Sequence, residues 1–207
     1  MHNIILSPHF CLHEFTESPT ARKHGIENSP PMEAVQNLQH LCLCTMEPLR
    51  EALGLPVIIT SGYRTKRLND ILSHASHRSQ HCVGSACDFY VGWSPSLNAR
   101  GQAGTECPTA RERLIQAFRL ILTSPSIDFD QLILYPNFIH VSYVSRDRNR
   151  RKLTKAYGNG KYCCEVCENG TGDADTRGNA CSCRIQNCGT GGSVCSGIRY
   201  CESLRFL

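Results

Sequence analysis

The chain of 207 residues has no long hydrophobic run. Its longest apolar stretches are a few residues, whereas a helical membrane span needs about 20, so no membrane segment is expected. The opening stretch from Met1 to Pro8 has no basic lead-in, and its apolar core is too short for a secretory signal. The expectation is synthesis in the cytoplasm, with some other agent carrying the chain to any substrate outside. Aromatic residues are absent from the basic run Arg146, Arg148, Arg150, Arg151, Lys152 and Lys155, which against Asp147 alone exceeds the whole net charge of +4. Such a run could meet nucleic acid or an anionic wall polymer, but it lacks faces on which bases could stack, which argues against a specific nucleic-acid partner, and it reads as a solvated, flexible segment after the last strand.

Cysteine is abundant but unevenly spread. Fourteen cysteines without an export signal do not make a disulfide scaffold. Cys11, Cys42, Cys44, Cys82, Cys87 and Cys107 are scattered and read as small buried hydrophobes. The other eight, Cys163 to Cys201, sit among Gly, Asn, Thr and Ser with almost no apolar periodicity. Cys164 and Cys167 have zinc-knuckle spacing that Cys181 and Cys183 could complete. The string Cys167 to Gly172 resembles, one residue out of register, the Cys- and Gly-rich repeats of Hsp40-type chaperones. A structural zinc module, a wall-binding appendage and an unstructured tail all stay open. The length thus divides into a domain over 1–150, enough for one packed core, and a basic linker with a Cys-rich tail over 151–207.

Within the first part, Pro30-Pro31 opens a helix whose apolar positions Val35, Leu38, Leu41 or Cys42, Thr45 or Met46, Leu49 and Leu53 recur at helical spacing. Gly54 stops it, and 55–60 reads as a buried strand. Lys66 to Ser73 predicts a short helix, and Asp88 to Val91 a strand. Trp93 to Thr105 is Gly-, Ser- and Pro-rich and reads as a loop. Pro108-Thr109 starts a helix with the stripe Leu114, Ile115, Phe118, Ile121 and Leu122, ended at Ser124 to Ser126. Phe129 to Tyr135 and Phe138 to Tyr143 predict a hairpin turning at Pro136-Asn137. In its second strand His140 and Ser142 share one face, with Ile139, Val141 and Tyr143 on the other. The pattern predicts an α+β fold: a small, mainly antiparallel sheet backed by two helices, followed by the Cys/Gly-rich tail.

Two histidines and one carboxylate form a normal ligand set for catalytic zinc, leaving a position for water. His81 and Asp88 supply one imidazole and the carboxylate, with Gly84, Ser85 and Ala86 between them allowing a tight turn. His140 supplies the second imidazole from a strand about fifty residues on. A satisfied core or edge histidine is the alternative at each position. His74 and His77 offer a second metal reading, against a default of exposed, titrating loop residues.

The string Ser79 to Asp88, S-x-H-x-x-G-x-A-x-D, followed by a strand ending H-x-S, resembles the zinc D-alanyl-D-alanine carboxypeptidases and their relatives. These include D,D-dipeptidases and phage L-alanyl-D-glutamate endopeptidases. Thr60 to Arg64 is similar to that family's S-G-Y-R segment; Ser7 to Phe10, Glu14-Phe15 and 21–25 are similar to the entry segment of phage-type members. Phe129 to Ile133 looks like the strand before their last ligand. The resemblance implies Zn2+ on His81, Asp88 and His140, Arg64 on the oxyanion or a substrate carboxylate, and Ser79 supporting the ligand loop by a hydrogen bond. It also implies a general base, for which many members carry an acid three residues before the last histidine. Here that position is Asn137. Asp130 is the nearest candidate in sequence, and Tyr135 could donate a hydrogen bond.

Two functions follow from the resemblance. One is a monomeric zinc peptidase cutting peptidoglycan stem peptides, a carboxypeptidase or an endolysin-like enzyme of phage-lysis type that reaches the wall after release. The other is a non-catalytic, metal-dependent wall-peptide binding protein.

Overall fold

The computed structural model describes residues 4–73, 75–92, 108–156 and 162–163. The loop expected at 93–105, His74, Cys107 and nearly all of the Cys-rich tail lie outside these residues.

The helix expected after Pro30-Pro31 forms, but in three parts: α3 (Met32–Leu41), a π-helical turn (Cys42–Met46) and α4 (Glu47–Leu53). Pro48 accounts for the break, because it has no N–H to give the carbonyl one turn back and its ring crowds that carbonyl. The Cys44 carbonyl instead accepts the backbone N–H of Asp128 at 3.1 Å, and the Thr45 hydroxyl donates to the Asp128 carbonyl at 2.5 Å. A helix defect thereby ties the helix to the loop that leads into the site-bearing strands. Gly54 ends α4 at φ +61, as expected.

Before this helix come a two-stranded ribbon, β1 (Ile5–Ser7) with β2 (Phe10–Cys11), and the short helices α1 (Leu12–Thr16) and α2 (Pro19–Lys23). After it come β3 (Val57–Ser61), α5 (Lys66–Asp70), a 3-10 turn (Gln80–Val83) and β4 (Ala86–Val91). Then follow α6 (Ala110–Thr123), opened by a Thr109–Glu112 capping box, and the hairpin β5 (Gln131–Leu134) and β6 (Ile139–Ser142). The helix at 66 is shorter than expected, and β4 begins two residues earlier.

β7 (Lys152–Ala156) and β8 (Tyr162–Cys163) complete a six-stranded sheet in the order β3-β4-β6-β5-β7-β8. All neighbours are antiparallel except β5 and β7. The fold is therefore the α+β arrangement expected, with α3, α4 and α6 on one face. Cys87, Phe89, Val91, Leu132, Leu134, Ile139, Val141 and Leu153 from the sheet pack with Leu38, Leu41, Met46, Leu49, Phe118 and Ile121 from the helices in one core. The side chains that alternate with these point to the other face, where no helix of the described residues lies across Asp88, His140, Ile133 and Thr154. That face lines a cleft.

The basic run corrects a sequence expectation. It is not a free segment, and the sheet continues past residue 150. Arg150 grips the buried carboxylate of Asp130. Arg151 stacks over the Phe129 ring at 4.5 Å and lies 3.5 Å from Asp128. Lys152 then enters β7, whose Leu153 is 1% exposed. A buried carboxylate without a cation would be costly, so Asp130 recruits the run instead of leaving it to solvent. The scattered cysteines also divide: Cys42 and Cys87 are buried, while Cys11, Cys44 and Cys82 are partly exposed, and all five are free thiols. Burial pushes the Cys42 and Cys87 thiols well up, as inert core groups require.

Candidate metal centre

Two glycines let the backbone converge at the site. Gly84 closes the 3-10 turn at φ +73, and a Cβ there would lie 2.3 Å from the Ala34 carbonyl oxygen of α3. At Gly62 a Cβ would lie 2.5 Å from the Phe15 carbonyl oxygen. With no side chain at either position, the turn seats on α3 and the strand end seats on α1. Tyr63 N–H donates to Phe15 O at 2.7 Å, and Arg64 N–H donates to His81 O at 3.2 Å, locking the two motif segments together.

The Gly62 carbonyl accepts the Nδ1–H of His81 at 2.6 Å. That bond fixes the tautomer and leaves the Nε2 lone pair facing the cleft. His81 is 2% exposed, and burial pushes its pKa down against the pull of Asp88. Asp88 and His140 are direct cross-strand partners on β4 and β6, so their side chains share the open face. His140 Nδ1 lies 2.8 Å from Asp88 Oδ1, His81 Nε2 lies 3.3 Å from the same oxygen, and the two ring nitrogens are 3.2 Å apart. Burial alone would raise the Asp88 pKa, but His81 and His140 outweigh it and hold the carboxyl far below its usual range.

This donor set fits zinc. Ligand bonds of about 2.0–2.2 Å at tetrahedral angles separate neighbouring donors by about 3.3–3.6 Å, and the observed separations are 2.8, 3.2 and 3.3 Å. One donor atom from each residue lies within 4.8 Å of the others, and this is the group of its kind among the described residues. His77 is elsewhere, exposed and 3.7 Å from Asp70.

The remaining expected residues are placed less simply. Arg64 reaches the centre, with Nη2 donating to Asp88 Oδ2 at 2.9 Å and lying 3.3 Å from His81 Nε2, while Nε donates to Ser61 Oγ at 3.0 Å. It therefore orients the carboxylate as well as lining the cleft. Ser79 does not cap the ligand turn with its hydroxyl; its backbone carbonyl accepts Cys82 N–H at 3.1 Å. The supporting side chain is its neighbour Gln80, which donates to Asp130 Oδ2 at 2.9 Å and accepts from Arg150 at 3.3 Å. Sequence reading missed Gln80, although its place directly before His81 was a signal.

Asp130 lines the cleft, but both its oxygens are engaged by Arg150 and Gln80 and by the Arg150 backbone N–H at 2.8 Å. Burial would raise its pKa, but these bonds prevail and lower it. A carboxylate held in this way is a weaker base and a structural anchor. Asn137 is exposed in the β5–β6 turn. On either side of it Tyr135 and Phe138 stack at 4.2 Å and form one wall of the cleft, which has a volume of about 880 Å³.

No curated protein matches the chain. The model of the Peptidase M15 family matches residues 8–109, which take in Arg64, His81 and Asp88 and stop short of His140. The fold supplies that third donor from β6, so the matched segment and the metal cluster agree, and both are similar to what the M15 family of zinc peptidases carries.

Proposed function

We propose that the protein hydrolyses peptide bonds in peptidoglycan stem peptides, as a D,D-carboxypeptidase or an endolysin-like endopeptidase acting on the wall after release. The observation that carries this reading is the convergence of His81, Asp88 and His140 on the open face of the sheet, beside a cleft large enough for a peptide. Zinc held there would acidify water and polarise the scissile carbonyl. The protein's own groups supply the rest. Gly62 holds His81 in one tautomer, Arg64 holds Asp88, and the Tyr135–Phe138 pair offers an apolar wall to the substrate.

A second reading has a specific observation behind it. The carboxylates lining the cleft among the described residues are Asp88, which belongs to the metal cluster, and Asp130, which is held by Arg150. A metal-dependent binding protein for wall peptides would need no free acid. Digestion of purified peptidoglycan by the full-length, zinc-loaded protein, with mass analysis of what is released, separates the two. The peptidase reading expects peptides or D-alanine of defined mass, abolished by chelator and by His140→Ala. Metal-dependent retention on the wall with nothing released would establish the binding reading instead.

A further inference from the structure

The cleft does not end at the metal cluster. Its floor is a row of directly paired residues running across the sheet: Asp88 on β4, His140 on β6, Ile133 on β5 and Thr154 on β7. A second row runs beside it through Ser142, Gln131 and Lys152. Strands are spaced by about 4.8 Å, so Thr154 lies about 10 Å from His140, and Lys152 stands next to Thr154 on the same face.

Two independent observations mark this far end as built for a ligand. The Thr154 hydroxyl is buried, lines the cleft and has no hydrogen-bond partner. Buried hydroxyls are seldom left unpaired, because the lost hydration is not recovered. The surroundings are also cationic: Arg148, Arg150 and Lys152 line the same end. Arg150 is committed to Asp130, and Arg148 touches Ser145 through Nε at 3.3 Å. Lys152 has no ion pair among the described residues, and neither cleft carboxylate is left to neutralise it.

We propose that Lys152 and Thr154, with Arg148 at the rim, form a carboxylate-binding subsite. The substrate class is an acidic peptide. An extended chain advances about 3.3 Å per residue, so the recognised carboxylate would lie about three residues from the reacting bond. The ammonium supplies the charge and the hydroxyl a directed hydrogen bond. The inference rests on the peptidase reading for the bond that reacts, but the subsite itself can be tested by binding.

The probes are the stem pentapeptide L-Ala-D-Glu-L-Lys-D-Ala-D-Ala with its glutamate carboxylate free, and the same peptide with that carboxylate amidated. Affinity for the full-length, zinc-loaded protein is measured by calorimetry, or as KM where the peptide is cut. The wild type should prefer the free acid by about tenfold or more, the worth of one charge-assisted hydrogen bond. Lys152→Met and Thr154→Val should each reduce that preference while keeping wild-type zinc content. Thr154→Val removes a hydroxyl with no partner to lose, so its fold is secure. Equal affinity of the wild type for the two peptides would overturn the proposal, as would a preference that survives in both variants. If neither peptide is cut but the acid preference is present and lost in the variants, the subsite stands and the peptidase reading falls.

Discussion

Replacing Gly84 by alanine places a methyl group 2.3 Å from the Ala34 carbonyl oxygen and 2.9 Å from its carbon, at a backbone φ of +73. The left-handed conformation costs an alanine about 1–2 kcal/mol. The contact is about 1 Å short of ordinary van der Waals distance, and both partners are backbone, so the turn must lift from α3. Overpacking of that kind costs about 1–3 kcal/mol, for a total of about 2–5 kcal/mol. The lifted turn carries His81 three residues before it and Asp88 four after it. Metal sites tolerate ligand displacements of only about 0.2 Å, so zinc affinity should fall at least tenfold. Gly54→Ala is the matched control: its φ is +61, but nothing lies within 4 Å of the added carbon. It should lose only the conformational part of the stability and none of the zinc affinity. Urea unfolding of the metal-free proteins and competition with a zinc-chelating dye measure the two effects. If Gly84→Ala and Gly54→Ala prove equal in both assays, the close approach to α3 does not shape the site.

Two further outcomes follow from the side chains around the cluster. Arg64→Ala leaves Asp88 Oδ2 without its partner, so zinc affinity should drop by about 10- to 100-fold, the usual cost of losing a ligand's supporting contact; unchanged affinity with reduced turnover would assign Arg64 to the substrate instead. Asp130→Asn should destabilise the fold at neutral pH by about 1–3 kcal/mol, less than for a fully buried pair because Arg150 is half exposed. The sign with pH is fixed by the lowered folded-state pKa of Asp130. The charged carboxylate stabilises fully above its unfolded value of about 3.9, and that stability is lost as pH falls through the lower folded value. Denaturation from pH 7 to pH 3 should therefore show wild type and variant converging at the acid end, and parallel curves would refute the role given to Asp130.

Local pattern made much of this legible in advance. The His81–Gly84–Asp88 spacing is read within ten residues, and the alternation about His140 is a property of one strand. The helix stripes and the helix start at Pro108-Thr109 are local as well. What escaped reading depends on distant partners. Pro48 signals a helix defect, but its consequence, the Cys44 carbonyl turning to Asp128, needs the fold. The basic run looked solvated because Asp147 is the one anion within it. Asp130 holds it from twenty residues away, and β7 joins β5 in parallel, a pairing that no hairpin signal announces. Asp130 itself was visible as a carboxylate near the last ligand. That both its oxygens were already taken was not.

The position of His140 is secured by the core more than by the site. Ile139 and Val141 flank it, both fully buried and paired with Phe89 and Cys87. A slip of β6 by one residue would turn His140 into the core and push both aliphatic side chains into solvent, since side chains alternate with period two. Exposing the pair would cost about 1.5–3 kcal/mol for each side chain, before the penalty for burying an imidazole without a partner. The register that delivers the third donor is thus enforced by apolar packing on the opposite face. The dependence also runs the other way. A metal joining His81, Asp88 and His140 would clamp the 3-10 turn, β4 and β6 together. At a concentration of about 100 times its Kd it would add about 2.7 kcal/mol to stability. That gain belongs to the sheet that carries the residues, so loss of the metal and loosening of β6 should be measured as one event.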